Sequence, residues 1–127
     1  MARILIINDD DGILDTYEAV VRGMGHEPVT KDTAASGPEV VRDVRADALI
    51  VDLQQPDEDE YGLRIIEELR AQAETRAFPI VLATGAGAEL EPVLNRLQSL
   101  EVEVVRKPFQ IDELESVIDS SLTRFRL

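Results

Sequence analysis

The sequence lacks cysteine altogether, and its aromatic residues are few. Without thiols the chain can form no disulfide framework, no thiolate metal site and no cysteine nucleophile. Three phenylalanines are too few to build a stacking platform for nucleic-acid bases. The absence of cysteine favours an intracellular, reducing compartment, and we expect the protein to be cytoplasmic.

Long hydrophobic runs are also missing from the chain. The apolar runs at residues 4–7 and 48–51 are far shorter than the ~20 residues that a membrane-spanning helix needs. No secretory signal precedes them. We therefore expect neither export nor membrane insertion.

Basic residues are in deficit. The chain has twenty-six acidic side chains and only thirteen lysines and arginines, which gives a formal net charge of −13 at pH 7. Such a charge repels nucleic-acid phosphates and anionic lipid surfaces, so direct nucleic-acid binding is not expected. Solubility accounts for most of this charge. Only acids that converge on one site need a functional cause.

The residues that are present indicate one soluble α/β domain. A 44% hydrophobic content beside 31% charged residues, over 127 residues, is the balance of a single globular domain. Five short apolar runs are strand candidates, at residues 4–7, 27–30, 48–51, 79–83 and 102–105. Four of the five are nearly continuous in apolar residues, which is typical of parallel strands covered on both faces.

Helical spacing of apolar residues marks the segments between and after these strands. They are Ile13, Tyr17, Val20, Val21 and Met24; Val40, Val41 and Val44; Leu63, Ile65, Ile66 and Leu69; Leu90, Val93, Leu94 and Leu97; and Ile111, Leu114, Val117, Ile118, Ser121 and Leu122. Gly25 predicts the end of the first helix, and residues 36–38 open the second. Alternating strands and helices predict a doubly wound parallel sheet, with its ligand site beyond the carboxyl ends of the strands.

Polar residues follow four of the five strands at that same edge. They are Asn8, Asp9, Asp10 and Asp11 after the first strand, Asp52 after the third, Thr84 and Gly85 after the fourth, and Arg106, Lys107 and Pro108 after the fifth. Each group alone is ordinary for a loop or a helix cap. Their coincidence at one edge of the sheet is the signal of a functional site.

The acidic residues of this group favour a magnesium site. Asp9 and Asp52 would bring two carboxylates together, which is costly unless a cation compensates, and hard oxygen ligands suit Mg²⁺. For Asp10 and Asp11 the alternative is capping of the first helix, where acids interact well with the helix dipole. We favour that alternative for Asp11 and metal binding for Asp9.

The remaining residues of the group describe a phosphate pocket. Lys107 supplies a positive charge, Thr84 a hydroxyl donor, and Gly85 a position without a side chain to block approach. A carboxylate that attacks phosphorus needs the transferred oxygens neutralised by such groups and by a metal. Asp52 is therefore the candidate nucleophile.

These residues resemble the response regulator receiver domain family, over essentially the whole chain. The stretch ILIINDDDGIL resembles the family's acidic first loop, ALIVDLQQP its phosphoacceptor strand, and PIVLATG and VRKPF its threonine and lysine motifs. The resemblance implies a flavodoxin-like fold, with a five-stranded parallel sheet in the order 2-1-3-4-5 and five helices. It also implies that residues 1–127 form a single receiver domain, and no output domain is expected.

The resemblance also implies roles for individual residues. Asp52 would accept a phosphoryl group from a histidine kinase or histidine phosphotransfer protein. Asp9, Asp52 and the backbone carbonyl of Gln54 would bind Mg²⁺, while Thr84 and Lys107 would hold the phosphoryl oxygens. Such a protein is a switch rather than a metabolic enzyme, with phosphotransfer and autodephosphorylation as its only chemistry. It would signal by contact with a downstream protein, through its fourth helix, fifth strand and fifth helix.

Three features depart from the family pattern. Asn8 stands where the family usually has another acid, and Asp10 is the residue that could compensate. Val104, three residues before Lys107, replaces the aromatic residue that reports phosphorylation in many members. The acidic segment 57–62 is about two residues longer than usual, which is typical of a solvated surface loop.

The departures keep other functions open. Asn8 and Val104 favour a docking or dimerisation module that is not phosphorylated, which predicts no Mg²⁺ dependence. An aspartate-nucleophile phosphatase would have a second acid two residues after Asp52, where Gln54 stands. A flavodoxin-type electron carrier is the weakest alternative, because its flavin phosphate would need hydroxyls and free amides in the acidic first loop. His26 has no partner ligands, and we assign it no role.

Overall fold

The computed structural model describes residues 1–32, 38–54, 60–85 and 91–124 of the chain. Strands and helices alternate in the order β1 (Arg3–Ile7), α1 (Asp11–Gly23), β2 (Glu27–Lys31), α2 (Pro38–Asp43), β3 (Ala48–Asp52), α3 (Tyr61–Arg70), β4 (Ile80–Thr84), α4 (Glu91–Ser99), β5 (Glu103–Arg106) and α5 (Ile111–Arg124). Every predicted strand lies within one residue of its predicted bounds.

The helix ends follow local chemistry. α1 ends at Gly23, and Gly25 adopts a φ of +83°, in the left-handed region that a side chain disfavours. The predicted helix end at this glycine is therefore confirmed. α2 begins at Pro38 and ends before Val44, whose amide still bonds to the carbonyl of Val40 at 3.1 Å. Residues 36, 37, 57–59 and 90, which entered the predictions, lie outside the described residues.

The sheet is parallel throughout, in the order β2-β1-β3-β4-β5, as predicted. Its register aligns Ile7 with Val51, and Asp52 with Ala83 on the next strand. β4 ends at Thr84, which pairs with Arg106 at the end of β5. The carboxyl ends of β1, β3, β4 and β5 therefore meet at one edge of the sheet.

Side chains of the sheet alternate between two hydrophobic cores. One core packs against α2, α3 and α4, and its sheet residues include Leu5, Ile7, Leu49, Val51 and Leu82. The other packs against α1 and α5, and its sheet residues include Ile4, Ile6, Ala48, Ile50 and Val81. Burial on both faces explains the nearly continuous apolar sequence of these strands. Within the described part of the chain, no helix combines the length and the apolar character needed to cross a membrane.

Candidate functional site

The carboxylate of Asp52 is the centre of a hydrogen-bonded cluster at this edge of the sheet. Asp52 is the last residue of β3 and is 5% exposed. Its Oδ2 accepts from Nδ2 of Asn8 at 2.7 Å and from Nζ of Lys107 at 2.5 Å. Its Oδ1 accepts from the hydroxyl of Tyr17 at 3.0 Å. A buried charge needs such partners, and here they come from the end of β1, from α1 and from the end of β5.

Lys107 is fixed by the backbone as well as by its charge. Its amide donates to the carbonyl of Thr84 at 2.8 Å, which continues the β4–β5 pairing past the end of β5. The Lys107 side chain is 30% exposed, whereas that of Asp52 is 7% exposed. The ion pair is therefore buried on the carboxylate side and open to solvent on the ammonium side.

Thr84 and Gly85 lie beside this ion pair. Thr84 ends β4 and is 2% exposed, while Gly85 is exposed. A Cβ atom placed on Gly85 would lie 3.9 Å from Cβ of Lys107, which is ordinary van der Waals contact. Thr84 and Gly85 thus lie next to Lys107, which contacts the Asp52 carboxylate, and their phosphate-binding role stays a prediction.

The side-chain amide of Asn8 donates a hydrogen bond to Asp52, which a second carboxylate at this position could not do. Its side chain is 3% exposed, its Oδ1 accepts from the amide of Asp10 at 2.9 Å, and its Nδ2 donates to Asp52. An aspartate at this position would offer only acceptors at neutral pH and would repel Asp52. Asn8 and the ammonium of Lys107 therefore both contact Oδ2 of the buried carboxylate, with no metal ion needed for these contacts.

Asp10 and Asp11 occupy the start of α1. Asp10 is the N-cap, and its Oδ1 accepts from the amide of Ile13 at 3.0 Å. The cap that the sequence analysis favoured for Asp11 is thus made by Asp10, and Asp11 lies in the first turn, where its charge suits the helix dipole. One oxygen of Asp10 is committed to capping, so its supporting role for a metal stays a prediction.

The predicted magnesium ligands besides Asp52 are Asp9 and the backbone carbonyl of Gln54. Asp9 and Gln54 are both exposed; Asp9 directly follows Asn8, and Gln54 stands two residues after Asp52. Among the described residues no group of three or more acidic, histidine or cysteine side chains could hold a metal. Mg²⁺ keeps several waters and needs only one or two carboxylates. Two carboxylates and the carbonyl of Gln54 fit that kind of site.

The role of Tyr17 at this site was missed by the sequence reasoning. Tyr17 was predicted as one member of the apolar stripe of α1, and its ring is indeed 1% exposed and stacked on Phe109 at 6.0 Å between centroids. Burial, and then the charge of Asp52, raise the pKa of Tyr17 above its ordinary value of 10.0. The sequence did contain a signal for this contact, because Tyr17 places a hydroxyl on the buried face of α1, the helix that begins at the site.

The need for glycine at position 62 was also missed. The amide of Gly62 donates to the carbonyl of Leu53 at 2.9 Å. A Cβ atom on Gly62 would lie 2.6 Å from the carbonyl oxygen of Asp52 and 2.7 Å from Cδ1 of Leu82. Such distances do not occur in real structures, so this glycine lets α3 begin directly against the end of β3.

Two further sequence predictions can be placed in the structure. Val104, at the predicted switch position of β5, is partly buried against the core formed by α2, α3 and α4. A cavity of about 320 Å³ lies beside it, between α4 and β5. Nδ1 of His26 accepts from the amide of Ala2 at 3.0 Å, which is a packing role.

Comparisons with known proteins agree on one family. A family model described as the response regulator receiver domain matches residues 4–119. The DNA-binding response regulator MtrA of Mycolicibacterium smegmatis is 30% identical over 122 residues, which cover 96% of this chain and 51% of that protein. The chain spans between a quarter and about half of the length of the curated relatives it matches.

Solved structures show the same likeness. A sensor protein from Polaromonas sp. JS666 superposes with a TM-score of 0.80 at 26% identity, and 98% of each chain is covered. The receiver domain of the sensor histidine kinase PA1611 from Pseudomonas aeruginosa PAO1 has a TM-score of 0.73 at 25% identity, with 96% of this chain and 98% of that one covered. That structure holds a magnesium ion coordinated in its active-site cleft.

Proposed function

Because the chain belongs to the response regulator receiver domain family, we propose that it accepts a phosphoryl group on Asp52 and signals by protein contact. Phosphorylation of an aspartate, and Mg²⁺, are characteristic of this family in two-component systems. The observation that carries the proposal is the position of Asp52 at the end of β3, with the ammonium of Lys107 on its Oδ2.

The donor in this proposal is a phosphorylated histidine of a kinase or of a phosphotransfer protein. An oxygen of Asp52 attacks phosphorus while the bond from phosphorus to the imidazole nitrogen breaks, and the electron pair leaves with the imidazole. Asp9, Asp52 and the carbonyl of Gln54 would hold Mg²⁺, whose charge offsets that of the transferred oxygens. In autodephosphorylation, water attacks the phosphorus of phospho-Asp52, and the Asp52 carboxylate is the leaving group.

Lys107 and Thr84 have distinct parts in this step. Lys107 is already bonded to Oδ2 of Asp52 and is open to solvent on its other side. A phosphoryl oxygen placed there can receive a hydrogen bond from the same ammonium after a small movement. The hydroxyl of Thr84 would follow the phosphoryl group and displace the segment that begins at Gly85, which biases the domain toward a second state.

The signal leaves through a protein surface in this proposal. Val104 has no ring to rotate, so the change at Thr84 must reach α4, β5 and α5 through the backbone. We propose residues 1–127 as one receiver domain of the cytoplasm that contacts a downstream protein. The formal charge of −13 disfavours direct contact between this domain and nucleic acid.

A second candidate function is a docking or dimerisation module without phosphorylation. The observation that favours it is the hydrogen bond from Asn8 to Asp52, which satisfies the carboxylate without a metal. The two functions differ in a measurable property. Only the phosphoacceptor requires Mg²⁺ for a covalent change at Asp52.

The test is intact-mass measurement after incubation with acetyl phosphate, with and without Mg²⁺. The wild-type chain is compared with Asp52→Asn, which keeps the size of the side chain, and with Asp43→Asn as a control at an exposed acid of α2. We expect a gain of one phosphoryl group that requires Mg²⁺ and is lost only in Asp52→Asn. If the wild-type chain gains nothing from acetyl phosphate or from a phosphorylated histidine kinase, the docking module is the better assignment.

A further inference from the structure

We propose that the buried hydroxyl of Tyr17 is a hydrogen-bond donor to the leaving carboxylate when phospho-Asp52 is hydrolysed, and that it thereby shortens the lifetime of the phosphorylated state. This inference rests on the proposed function and adds a residue outside the strand-end motifs. Its basis is the 3.0 Å bond from the Tyr17 hydroxyl to Oδ1 of Asp52, while Asn8 and Lys107 bond to Oδ2.

The surroundings of Tyr17 fix the direction of its hydroxyl. The ring is 1% exposed in the core between the sheet, α1 and α5. It stacks on Phe109 with 17° between the ring planes. A phenol that is buried and stacked on a second ring has few alternative positions. Its hydroxyl is therefore aimed at Asp52 before any reaction takes place.

The protonation state of Tyr17 suits a donor. A phenol with an ordinary pKa of about 10 is protonated at neutral pH. The hydroxyl consequently keeps its proton at neutral pH. Because Asp52 is acceptor-only when ionised, the proton of this bond belongs to Tyr17.

Hydrolysis changes the charge on the oxygen that Tyr17 contacts. In phospho-Asp52 the carboxyl group is a neutral acyl unit, and its oxygens are weak acceptors. Water then bonds to phosphorus, the bond from phosphorus to the Asp52 oxygen breaks, and its electron pair returns to the carboxylate. The protons of the water stay with the released phosphate or pass to solvent. A donor to the carboxylate stabilises this product more than the acyl phosphate.

The hydrogen bond from Tyr17 should affect the rate of hydrolysis more than the rate of phosphorylation. Phosphoryl transfer passes through a loose transition state, in which the bond to Asp52 is largely broken during hydrolysis and barely formed during phosphorylation. The carboxylate charge is therefore almost complete in both transition states. In hydrolysis this charge is absent from the starting acyl phosphate and develops in the transition state, so Tyr17 accelerates the step. In phosphorylation the charge is already present on Asp52 in the starting state, so Tyr17 changes the rate little.

The test uses Tyr17→Phe, which removes the hydroxyl and keeps the ring against Phe109. The matched control is Thr16→Val, the neighbouring residue of α1, whose hydroxyl donates to the carbonyl of Gly12. Each chain is phosphorylated with acetyl phosphate and Mg²⁺, and mass spectrometry follows the gain and then the loss of the phosphoryl group. We expect Tyr17→Phe to lengthen the lifetime about tenfold, since a hydrogen bond to a charged group has about that effect on an equilibrium.

The rate of phosphorylation separates this role from a structural one. For Tyr17→Phe the rate of phosphorylation should change much less than the rate of hydrolysis, whereas a loosened site would slow phosphorylation and shorten the lifetime. Equal lifetimes for the wild-type chain and Tyr17→Phe, or a similar lengthening in Thr16→Val, would overturn the inference and leave the proposed function intact. If no chain takes up a phosphoryl group, the proposed function fails and the inference fails with it.

A second measurement covers the case in which Tyr17→Phe does not fold. Biosynthetic replacement of tyrosine by 3-fluorotyrosine keeps the phenol and makes it a stronger donor. The lifetime of the labelled wild-type chain should then be shorter than that of the unlabelled chain. An unchanged or longer lifetime contradicts the role of Tyr17.

Discussion

At the scale of single residues, the side-chain amide of Asn8 supplies one of the hydrogen-bond donors that the buried carboxylate of Asp52 needs. Asn8 donates to Oδ2 of Asp52 at 2.7 Å from a position that is 3% exposed. In Asn8→Asp the bond is replaced by like-charge repulsion. We expect the metal-free variant to lose about 2 kcal/mol of unfolding free energy at neutral pH, and Mg²⁺ to restore more stability to it than to the wild-type chain. Urea unfolding with and without Mg²⁺ measures both effects.

Asn8→Ala is the matched control for this prediction, because it removes the same hydrogen bond without adding a charge. It should lose stability but show no larger response to Mg²⁺ than the wild-type chain. An Asn8→Asp variant as stable as the wild-type chain in metal-free buffer would contradict the part assigned to the amide.

The hydroxyl of Tyr17 should make the protein sensitive to alkali. The folded state raises the pKa of Tyr17, so above pH 10 the unfolded chain loses this proton and the folded chain keeps it. The stabilising contribution is complete below pH 10 and declines by about 1.4 kcal/mol per pH unit above it. Denaturant unfolding from pH 9 to 11 should therefore show a shallower decline for Tyr17→Phe than for the wild-type chain. Parallel pH profiles of the two proteins would show that Tyr17 titrates normally.

Sequence reasoning located part of this cluster, for a definite physical reason. Parallel strands end at one edge, so residues that follow β1, β3 and β5 could be expected to meet, and Asn8, Asp52 and Lys107 do meet. Their functional roles stay predictions. Tyr17 could not be found this way, because helical periodicity counts a buried tyrosine as apolar whether or not its hydroxyl has a partner. Capping was considered for both Asp10 and Asp11, and periodicity alone does not decide which of two neighbouring acids makes the cap.

At the scale of elements, the junction between β3 and α3 depends on Gly62. In Gly62→Ala the new methyl group would meet the Asp52 carbonyl at 2.6 Å. Backbone atoms cannot yield as a flexible side chain can, so we expect a loss of about 3 kcal/mol in unfolding free energy. Thermal unfolding of the purified variant measures it.

Gly23→Ala is the control for this substitution. Gly23 is the last residue of α1, and an added Cβ atom there would meet no atom of the described residues within 4 Å apart from its chain neighbours and its own helix backbone. The change should stabilise the protein by about 0.5 kcal/mol through a less flexible unfolded chain. If the two alanine variants unfold alike, the close approach at Gly62 is not a constraint.

Gly62 also shows which feature of the elements could not be predicted from the sequence. Strand and helix bounds follow from local period, and the β3–α3 connection was recognised only as an acidic loop of unusual length. The close approach of Gly62 to Asp52 is a tertiary contact between segments ten residues apart. No local pattern around Tyr61 or Leu63 distinguishes this glycine from one in an ordinary turn.

At the scale of the whole molecule, the formal charge of −13 dominates the response to salt. Ion pairs such as Arg22 with Glu18 and Arg64 with Glu68 are exposed, and pairs of this kind contribute little. Salt weakens them slightly but screens the self-repulsion of the acidic surface much more. We expect the Tm to rise by roughly a few degrees between 10 mM and 150 mM NaCl. Calorimetry in NaCl and in KCl should agree, and a falling Tm would show that ion pairs outweigh repulsion.

The contact of Tyr17 with Asp52 also gives the protein an optical property. The chain has no tryptophan, two tyrosines and three weakly emitting phenylalanines, so Tyr17 and Tyr61 dominate its near-ultraviolet emission. A phenol bonded to a carboxylate loses its excited state by proton transfer and emits weakly. Tyr17 should therefore be dark beside ionised Asp52 and brighten once that oxygen belongs to an ester-like group, while Tyr61 provides a steady background. The native chain would then report the chemistry at Asp52 by its own fluorescence, without an attached dye.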